Sequence, residues 1–162
     1  MLKLTKTFLL CTLAAIICAC TEDRVFEQNY DLPNNVWPIA EKVNFEFDIE
    51  NAKPYYQIFL NIRHNADYPY RNIYINYQLR DTTEFIMENA LANVSLFSNI
   101  EGKPYGKATS NVFSYQELLL DSMRFPHQGD YIFSMYQYMR VDSLDGVYSV
   151  GIKIVEQPIA VE

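Results

Sequence analysis

Residues 43–50 read VNFEFDIE, an unbroken alternation of apolar and polar side chains. A period of two places Val43, Phe45 and the apolar residues that follow on one face of a β-strand, and the polar residues on the other. Three of the four polar residues are acidic. The stretch therefore predicts a half-buried strand with one face in the core and an acidic face in solvent.

Alternating segments of the same kind recur along the chain, at residues 55–64, 71–80, 131–139 and 150–154. Turn-forming residues such as Pro54, Pro69 and Gly129 separate them. No clear helical pattern is available to return the chain for parallel pairing, so we expect antiparallel strands. We therefore predict an all-β fold, a single antiparallel β-sandwich of immunoglobulin-like or jelly-roll-like type, over residues 41–162.

Two central segments fit neither the strand period nor the helix period. Residues 84–92 are compatible with a strand or a short helix, and residues 112–123 contain the run Leu118-Leu119-Leu120, which suits either type. The sequence leaves the structure of residues 81–123 open between these alternatives.

The amino-terminal residues have the features of a secretory signal. Lys3 and Lys6 precede a short apolar run, which ends in Ile17-Cys18-Ala19-Cys20. This ending resembles the lipobox of bacterial lipoproteins, in which a cysteine is acylated and becomes the first residue of the mature chain. Cys20 is the predicted lipidation site, because Cys18 would place the bulky Ile17 at the small-residue position. An ordinary signal peptide cut nearby is the alternative.

This interpretation divides the chain into three parts. Residues 1–19 are the predicted signal peptide, residues 20–40 a lipidated amino-terminal arm, and residues 41–162 the sandwich domain. Several acyl chains on one residue give stable membrane anchoring, whereas a single chain binds only marginally. The chain is therefore expected to attach to a membrane through the covalent lipid on Cys20.

The charge and the cysteine content exclude several classes of protein. The net charge is −7, and removal of residues 1–19 with Lys3 and Lys6 would take it to −9. A domain this acidic is not expected to bind nucleic acid or to reach an anionic membrane through a basic patch. All three cysteines lie within the first twenty residues, so we expect no disulfide in the folded part.

No recognisable catalytic or metal-binding pattern is present in the sequence. The two histidines, His64 and His127, have no nearby ligand partners of the kind a zinc site needs. Glu46 and Asp48 are paired carboxylates, but the strand period directs both to solvent. We therefore predict no catalytic residue, no metal, and no cofactor other than the covalent lipid.

Aromatic side chains occur on both faces of two predicted strands. The chain contains 13 Tyr and 10 Phe, and Tyr55, Phe59, Tyr136 and Tyr138 all fall opposite the predicted core face. These side chains cannot all point into one core. Either other segments of the chain cover the second face, or an aromatic surface is presented to a partner.

A set of landmarks in a fixed order resembles one known family. They are Val25-Phe26, Trp37, Phe45-x-Phe47-x-Ile49, Arg63-His64, Tyr68-Pro69-Tyr70-x-Asn72, Phe125-Pro126-x-x-Gly129-x-Tyr131 and Met139-Arg140-x-Asp142-x-Leu144-x-Gly146. Together, behind a lipobox, they resemble the GldH family of gliding-motility lipoproteins.

The resemblance implies a non-enzymatic accessory lipoprotein of the cell envelope, anchored in the outer membrane. It implies an association with gliding motility or the linked protein-secretion machinery, through contacts with another envelope protein. A surface lipoprotein that binds glycans is the alternative, because exposed tyrosines on a sandwich can stack against sugars.

The residues that carry the resemblance have two interpretations. Arg63, Tyr68, Tyr70 and Arg140 are candidates for a partner-binding edge. The alternative is structural, since an arginine at a strand end can bind loop carbonyls or pair with a carboxylate such as Asp142. On the structural interpretation, Arg140→Ala is expected to lower stability by about 1–3 kcal/mol.

Overall fold

The computed structural model describes residues 24–157. The predicted signal peptide and the predicted lipidation site Cys20 lie outside these residues. Within them, no helix is long and apolar enough to cross a lipid bilayer.

The described chain is built from strands, with one 3-10 turn at Pro33–Asn35. The strands are β1 (Arg24–Asp31), β2 (Val36–Pro38), β3 (Val43–Ile49), β4 (Tyr56–Asn65), β5 (Asn72–Asp81), β6 (Ile86–Ser95), β7 (Lys107–Thr109), β8 (Val112–Met123), β9 (Gly129–Gln137), β10 (Ser143–Asp145) and β11 (Val147–Glu156).

The strands form two large sheets that pack face to face. A five-stranded sheet has the order β1-β11-β4-β8-β7, and a four-stranded sheet has the order β3-β9-β5-β6. The short strands β10 and β2 make a two-stranded sheet. Every pairing is antiparallel. The predicted all-β antiparallel sandwich is confirmed.

Residues 43–49 have the burial pattern that their alternation predicts. In β3 the apolar residues Val43 to Ile49 are buried at every second position, and the polar residues between them are exposed. β3 pairs with β9, where Phe45 lies opposite Phe133 and Phe47 opposite Tyr131. Because both strands direct apolar side chains to the same face, burial of that face stabilises the pairing.

The core lies between the two sheets and is aromatic at the end near Arg24. Phe47 contacts Phe26, Phe125 and Tyr131, with ring centroids 5.5, 6.0 and 6.1 Å apart. Trp37 is fully buried, and its indole Nε1 donates a hydrogen bond to the Glu41 carbonyl at 3.0 Å. That bond satisfies the one polar group of the indole, so the whole ring can enter the core.

The two ambiguous segments are both strands, β6 and β8. In β8, Leu118 lies opposite Phe59 and Leu120 opposite Ile58, so Leu119 is an extra residue in the ladder. Such a β-bulge interrupts the period of two. This explains why three consecutive leucines fit no regular pattern.

Part of the segment assigned to the amino-terminal arm belongs to the sheets. β1 is the edge strand of the five-stranded sheet and pairs with β11 from Arg24 to Asp31. β2 pairs with β10, where Trp37 lies opposite Leu144. Residues 24–38 therefore contribute strands to the sheets and do not form a separate arm.

Candidate functional site

Tyr68 is one of the four candidate partner-binding residues, and it is buried. Its hydroxyl donates a hydrogen bond to the Asn72 carbonyl at 3.0 Å, and its ring lies parallel to that of Phe97 at 6.3 Å. Burial raises the pKa of the Tyr68 hydroxyl well above its usual value. Tyr68 therefore holds the connection between β4 and β5 in place and presents no surface to a partner.

Tyr70 lies next to Tyr68 but at the surface. The two rings meet edge to face at 5.9 Å, and Tyr70 is 38% exposed. The structure thus brings these two candidates together, one inside the sandwich and one on its surface.

Arg63 lies on the outer face of the five-stranded sheet. It follows the buried Ile62 on β4 and lies opposite Ser149 of β11 and Ser114 of β8. Its side chain is exposed and has no hydrogen-bond or ion-pair partner among residues 24–157. Among the described residues, the Arg63 guanidinium therefore binds none of the strand-end carbonyls that the structural interpretation allows, because its position in the alternation directs it outward.

Arg140 lies on the outer side of the four-stranded sheet, just after β9. It is exposed, with a left-handed backbone φ of +60°, and within the described chain it has no hydrogen-bond or ion-pair partner. The expected pairing with Asp142 is not formed. The left-handed residue turns the chain away from the ladder here, so Arg140 points into solvent rather than back to a carboxylate.

The four candidates therefore do not form one edge. Tyr68 and Tyr70 are neighbours at the β4–β5 connection. Arg63 and Arg140, in contrast, lie on the outer faces of different sheets. Because the sheets pack through their inner faces, one partner surface of ordinary size would not contact both arginines.

Arg140 instead borders a groove of about 460 Å³ on the four-stranded sheet. We call it the aromatic groove, and it is lined by Tyr74, Leu91, Tyr138, Met139 and Arg140. Tyr74, Tyr138 and Leu91 are 36%, 48% and 50% exposed. Sequence reasoning identified Tyr138 as an outward aromatic residue but missed Tyr74 and Leu91, although Tyr74 occupies the outward position between the buried Ile73 and Ile75.

Hydrogen bonds join the two backbone segments that form the aromatic groove. The Tyr138 N–H donates to the Tyr74 carbonyl at 2.7 Å, and the Tyr74 N–H donates to the Met139 sulfur at 3.1 Å. The Tyr136 and Tyr138 rings meet edge to face at 6.3 Å. These contacts hold Tyr74 and Tyr138 side by side at the surface.

Arg63 borders a second, smaller groove of about 260 Å³ on the five-stranded sheet. We call it the polar groove; its floor is one cross-strand row of Asn29, Gly151, Asn61 and Gln116. The Gln116 amide donates to the Asn61 side-chain oxygen at 2.7 Å, and the Asn61 amide donates to Glu27 at 3.1 Å. Three polar side chains of this face, those of Glu27, Asn61 and Gln116, are therefore linked by hydrogen bonds.

Gly151 makes room for this row. A β-carbon at Gly151 would lie 2.2 Å from the Asn29 side-chain oxygen and 2.4 Å from the Gln28 carbonyl. A glycine inside a central strand weakens the strand and marks a close approach of other atoms. Here the approach is that of Asn29, whose side chain lies over Gly151.

The two histidines have different environments. His64 is fully buried, and its ring contacts those of Tyr68, Phe97 and Phe113. Burial lowers the pKa of the His64 imidazole, while contacts with the backbone of Asn65 and Tyr105 act in the opposite direction. A neutral, enclosed imidazole has the character of a core residue.

His127 lies near a buried carboxylate, at the other end of the sandwich. The His127 Nε2 atom is 3.8 Å from Asp81, whose side chain accepts bonds from Thr83 and from the Phe85 N–H. The Thr83 bond is the main cause that lowers the pKa of Asp81. This carboxylate caps a turn.

Among residues 24–157, no three His, Cys, Asp or Glu side chains group as metal ligands.

Comparison with known proteins yields one family and two curated relatives. Residues 24–154 match the model of the GldH lipoprotein family. A gliding motility lipoprotein GldH homolog of Christiangramia forsetii is 26% identical over 148 residues, covering 86% of this chain and 88% of the relative. The gliding motility lipoprotein GldH of Flavobacterium johnsoniae is 21% identical over 160 residues, covering 94% of this chain and 98% of the relative.

Among solved structures, this chain is similar to a carbohydrate-binding module specific for non-crystalline cellulose. The alignment covers 82% of this chain and 73% of the chain of the module. The TM-score is 0.44 and the sequence identity 12%. A similarity of this size carries no information about function.

Proposed function

The chain belongs to the GldH lipoprotein family, and from this premise we propose that it is a lipid-anchored, non-enzymatic accessory protein of the cell envelope. It serves gliding motility or the linked protein-secretion machinery, it is anchored in the outer membrane through Cys20, and it acts by binding another envelope protein through the aromatic groove.

The observation that carries this proposal is the composition of the aromatic groove. Tyrosine, methionine and arginine are enriched at protein interfaces, and the strongest contacts centre on such residues. Tyr74, Tyr138, Met139 and Arg140 occur together, whereas the neighbouring pocket on the same sheet is lined mainly by polar side chains. A partner of matching chemistry offers an apolar side chain to the tyrosines and a carboxylate to Arg140.

The position of the groove relative to the anchor supports the same proposal. Cys20 precedes Arg24 by four residues, which span at most roughly 14 Å, so the Arg24 end of the sandwich stays close to the lipid. Arg24 shares a surface with Asp48, and Asp48 pairs with Asp130 at the beginning of β9. Tyr138 follows the other end of β9, roughly 27 Å farther along the strand.

The groove therefore lies at the end of the sandwich away from the membrane. A protein approaching from the envelope space would meet Tyr138 and Arg140 before it met the lipid. An enzyme needs reacting groups in its pocket, whereas this groove offers side chains suited to contact.

Complementation of a deletion strain tests the proposal. We expect wild type to restore colony spreading and the normal set of secreted and surface proteins, and Arg140→Glu and Tyr138→Ala to fail. Arg63→Glu is the matched control, since Arg63 is also exposed and without a partner among residues 24–157 but lies in the polar groove. Full function of both groove variants would overturn the role of the aromatic groove.

The anchor has its own test in the same strain. We expect Cys20→Ser to yield a folded protein that is released from the membrane fraction and restores no function. A soluble Cys20→Ser protein with wild-type spreading would contradict the anchored mechanism.

A second candidate function, glycan binding, is favoured by the polar groove. Its row of amide side chains crosses four strands, roughly 14 Å, and offers the mixed donors and acceptors that sugar hydroxyls require. Phe59 lies beside the row on the same face, opposite Lys153 and Leu118, where it offers an apolar surface to a sugar ring.

Calorimetry with purified protein separates the two functions. Glycan binding requires saturable heat with soluble oligosaccharides of cellulose, xylan or pectin, reduced in Arg63→Ala and unchanged in Arg140→Ala. Flat titrations with all three would remove this candidate and leave the aromatic groove as the functional surface.

A further inference from the structure

Strand β6 is an edge strand with few of the features that normally protect a sheet edge. It pairs with β5 on one side, and on its other side no strand of residues 24–157 covers it. Over ten residues it contains no proline, lysine or arginine, and Glu88 is its one charged residue. Natural proteins normally protect such an edge with charges, prolines or a covering segment, because its free backbone groups accept another strand.

The other long edges of the sandwich are protected. β1 carries Arg24, Glu27 and Asp31. β3 carries Glu46 and Asp48. The free edge of β8 carries Glu117 and Asp121, and β7 covers its beginning. β6 has less protection: its one charge, Glu88, and the irregular pairing at Arg80 both lie near its beginning, and residues 89–95 contain no charge and no proline. This part of the edge is therefore open to pairing.

The direction of the backbone groups in β6 follows from a single bond. The Leu96 N–H donates to the Arg71 carbonyl of the neighbouring segment at 2.9 Å. In an antiparallel ladder the bonding direction alternates from one residue to the next. Ala90, Ala92 and Val94 therefore bond to β5, while the N–H and carbonyl groups of residues 89, 91 and 93 point to the free edge.

The side chains at those three positions complement a second copy of the same strand. With Leu91 on a two-fold axis, it lies opposite the partner's Leu91, and Asn89 lies opposite the partner's Asn93. Two leucines and two amide pairs suit such opposition. Glu88 then lies opposite the partner's Val94, so the two glutamates stay apart. An isologous contact requires self-complementarity of this kind.

We propose that a second copy of this chain pairs antiparallel with the free edge of β6, centred on Leu91. The pairing joins two four-stranded sheets into one sheet of eight strands. It covers the half-exposed Leu91, whose side chain lines the aromatic groove beside Tyr74. The two aromatic grooves then adjoin across the axis on one face. Cross-linking and sedimentation measure the dimer directly, so the absence of a dimer would leave the proposed function untouched.

A cysteine on the proposed axis tests the contact in the native membrane. Opposed residues of a bonded antiparallel pair have Cα atoms about 5.5 Å apart, which is the commonest separation in disulfides. We expect full-length Leu91→Cys to form a disulfide-linked dimer in the oxidised envelope, visible on non-reducing gels. The parent chain, with the same amino-terminal cysteines, is the control.

Two further cysteine positions determine the register. Asn89→Cys and Asn93→Cys should each give little dimer, because each residue lies roughly 14 Å from its own copy. The double variant should cross-link strongly. Tyr138→Cys is a control with an exposed cysteine outside β6. The proposal is overturned if Leu91→Cys gives no more cross-linked dimer than the parent and Tyr138→Cys. It is also overturned if Asn89→Cys and Asn93→Cys each give as much dimer as Leu91→Cys.

Sedimentation of the full-length protein in detergent provides an independent measure. Leu91→Lys opposes two like charges on the axis and should weaken the dimer by about tenfold or more. Leu118→Lys is the matched control, since Leu118 is an exposed leucine of the other sheet. Both variants should keep the parent's circular-dichroism spectrum, which shows that they fold. A monomeric parent, or a Leu91→Lys dimer as tight as the parent, would refute the contact.

Discussion

Two groups of aromatic side chains lie at the end of the sandwich away from Arg24, and they differ in burial. One is enclosed: Tyr68 and Phe97 surround His64, and all three are buried. The other is the aromatic groove, where Tyr74 and Tyr138 lie at the surface. Aromatic content alone therefore does not identify a binding surface, because the same residue types also fill the core a few residues away along the chain.

The largest expected effect is on stability and concerns the enclosed group. Tyr68→Ala removes a buried ring and its hydrogen bond to Asn72, and should lower the free energy of unfolding by about 3–5 kcal/mol. Tyr138→Ala, the control from the groove, should change it by less than about 0.5 kcal/mol. Denaturant unfolding measures both. Equal losses would erase the distinction between the two groups.

The next effect is a pH dependence from the enclosed His64. Its folded pKa lies below the reference value of 6.5, so the unfolded chain takes up the proton first. Its contribution to stability is complete above about pH 6.5 and falls as the pH drops toward the folded pKa, by at most about 1.4 kcal/mol per pH unit. Unfolding measured across this range should show the slope in wild type and in His127→Gln, but not in His64→Phe.

A smaller effect separates the two neighbouring tyrosines of the β4–β5 connection. Tyr68→Phe keeps the ring but leaves the Asn72 carbonyl without its donor, and should cost about 1 kcal/mol. Tyr70→Phe alters an exposed hydroxyl and should leave the melting temperature unchanged. A loss at Tyr70 as large as that at Tyr68 would mean that both hydroxyls are held inside the fold.

The smallest stability effect is expected at Arg140, although we expect a charge reversal there to abolish function. Its side chain has no partner within residues 24–157, so Arg140→Ala should change the free energy of unfolding by less than about 0.5 kcal/mol. This replaces the loss of about 1–3 kcal/mol expected from the sequence. A melting temperature lowered by several degrees would return Arg140 to a structural role.

Much of the fold could be predicted from local patterns, and the failures have physical causes. β3 alternates cleanly because one of its faces is buried along its whole length. β8 gave no clear period because a bulge at Leu119 shifts the alternation. β6 was equally ambiguous because it is an edge strand with few fully buried residues. A weak period in these strands reflects partial burial rather than a helix.

The candidate site was predicted only in part. The order of landmarks identified the family, which the family model and both relatives confirm. The alternation also placed Tyr138 on an outward face. It did not separate Arg63 from Arg140, because nothing local says that β4 belongs to the five-stranded sheet and the end of β9 to the four-stranded sheet.

The strand type, the inward face of each regular strand and the family could be predicted from the sequence, because each depends on the order of side chains along the chain. Three features are visible only in the folded structure: β1 completes a sheet, β6 is an edge strand, and Tyr74, Leu91 and Arg140 share a groove. Strand pairing depends on hydrogen bonds between distant segments. Those bonds form through backbone groups that are chemically alike in nearly every residue, so the order of side chains does not specify which strands become neighbours.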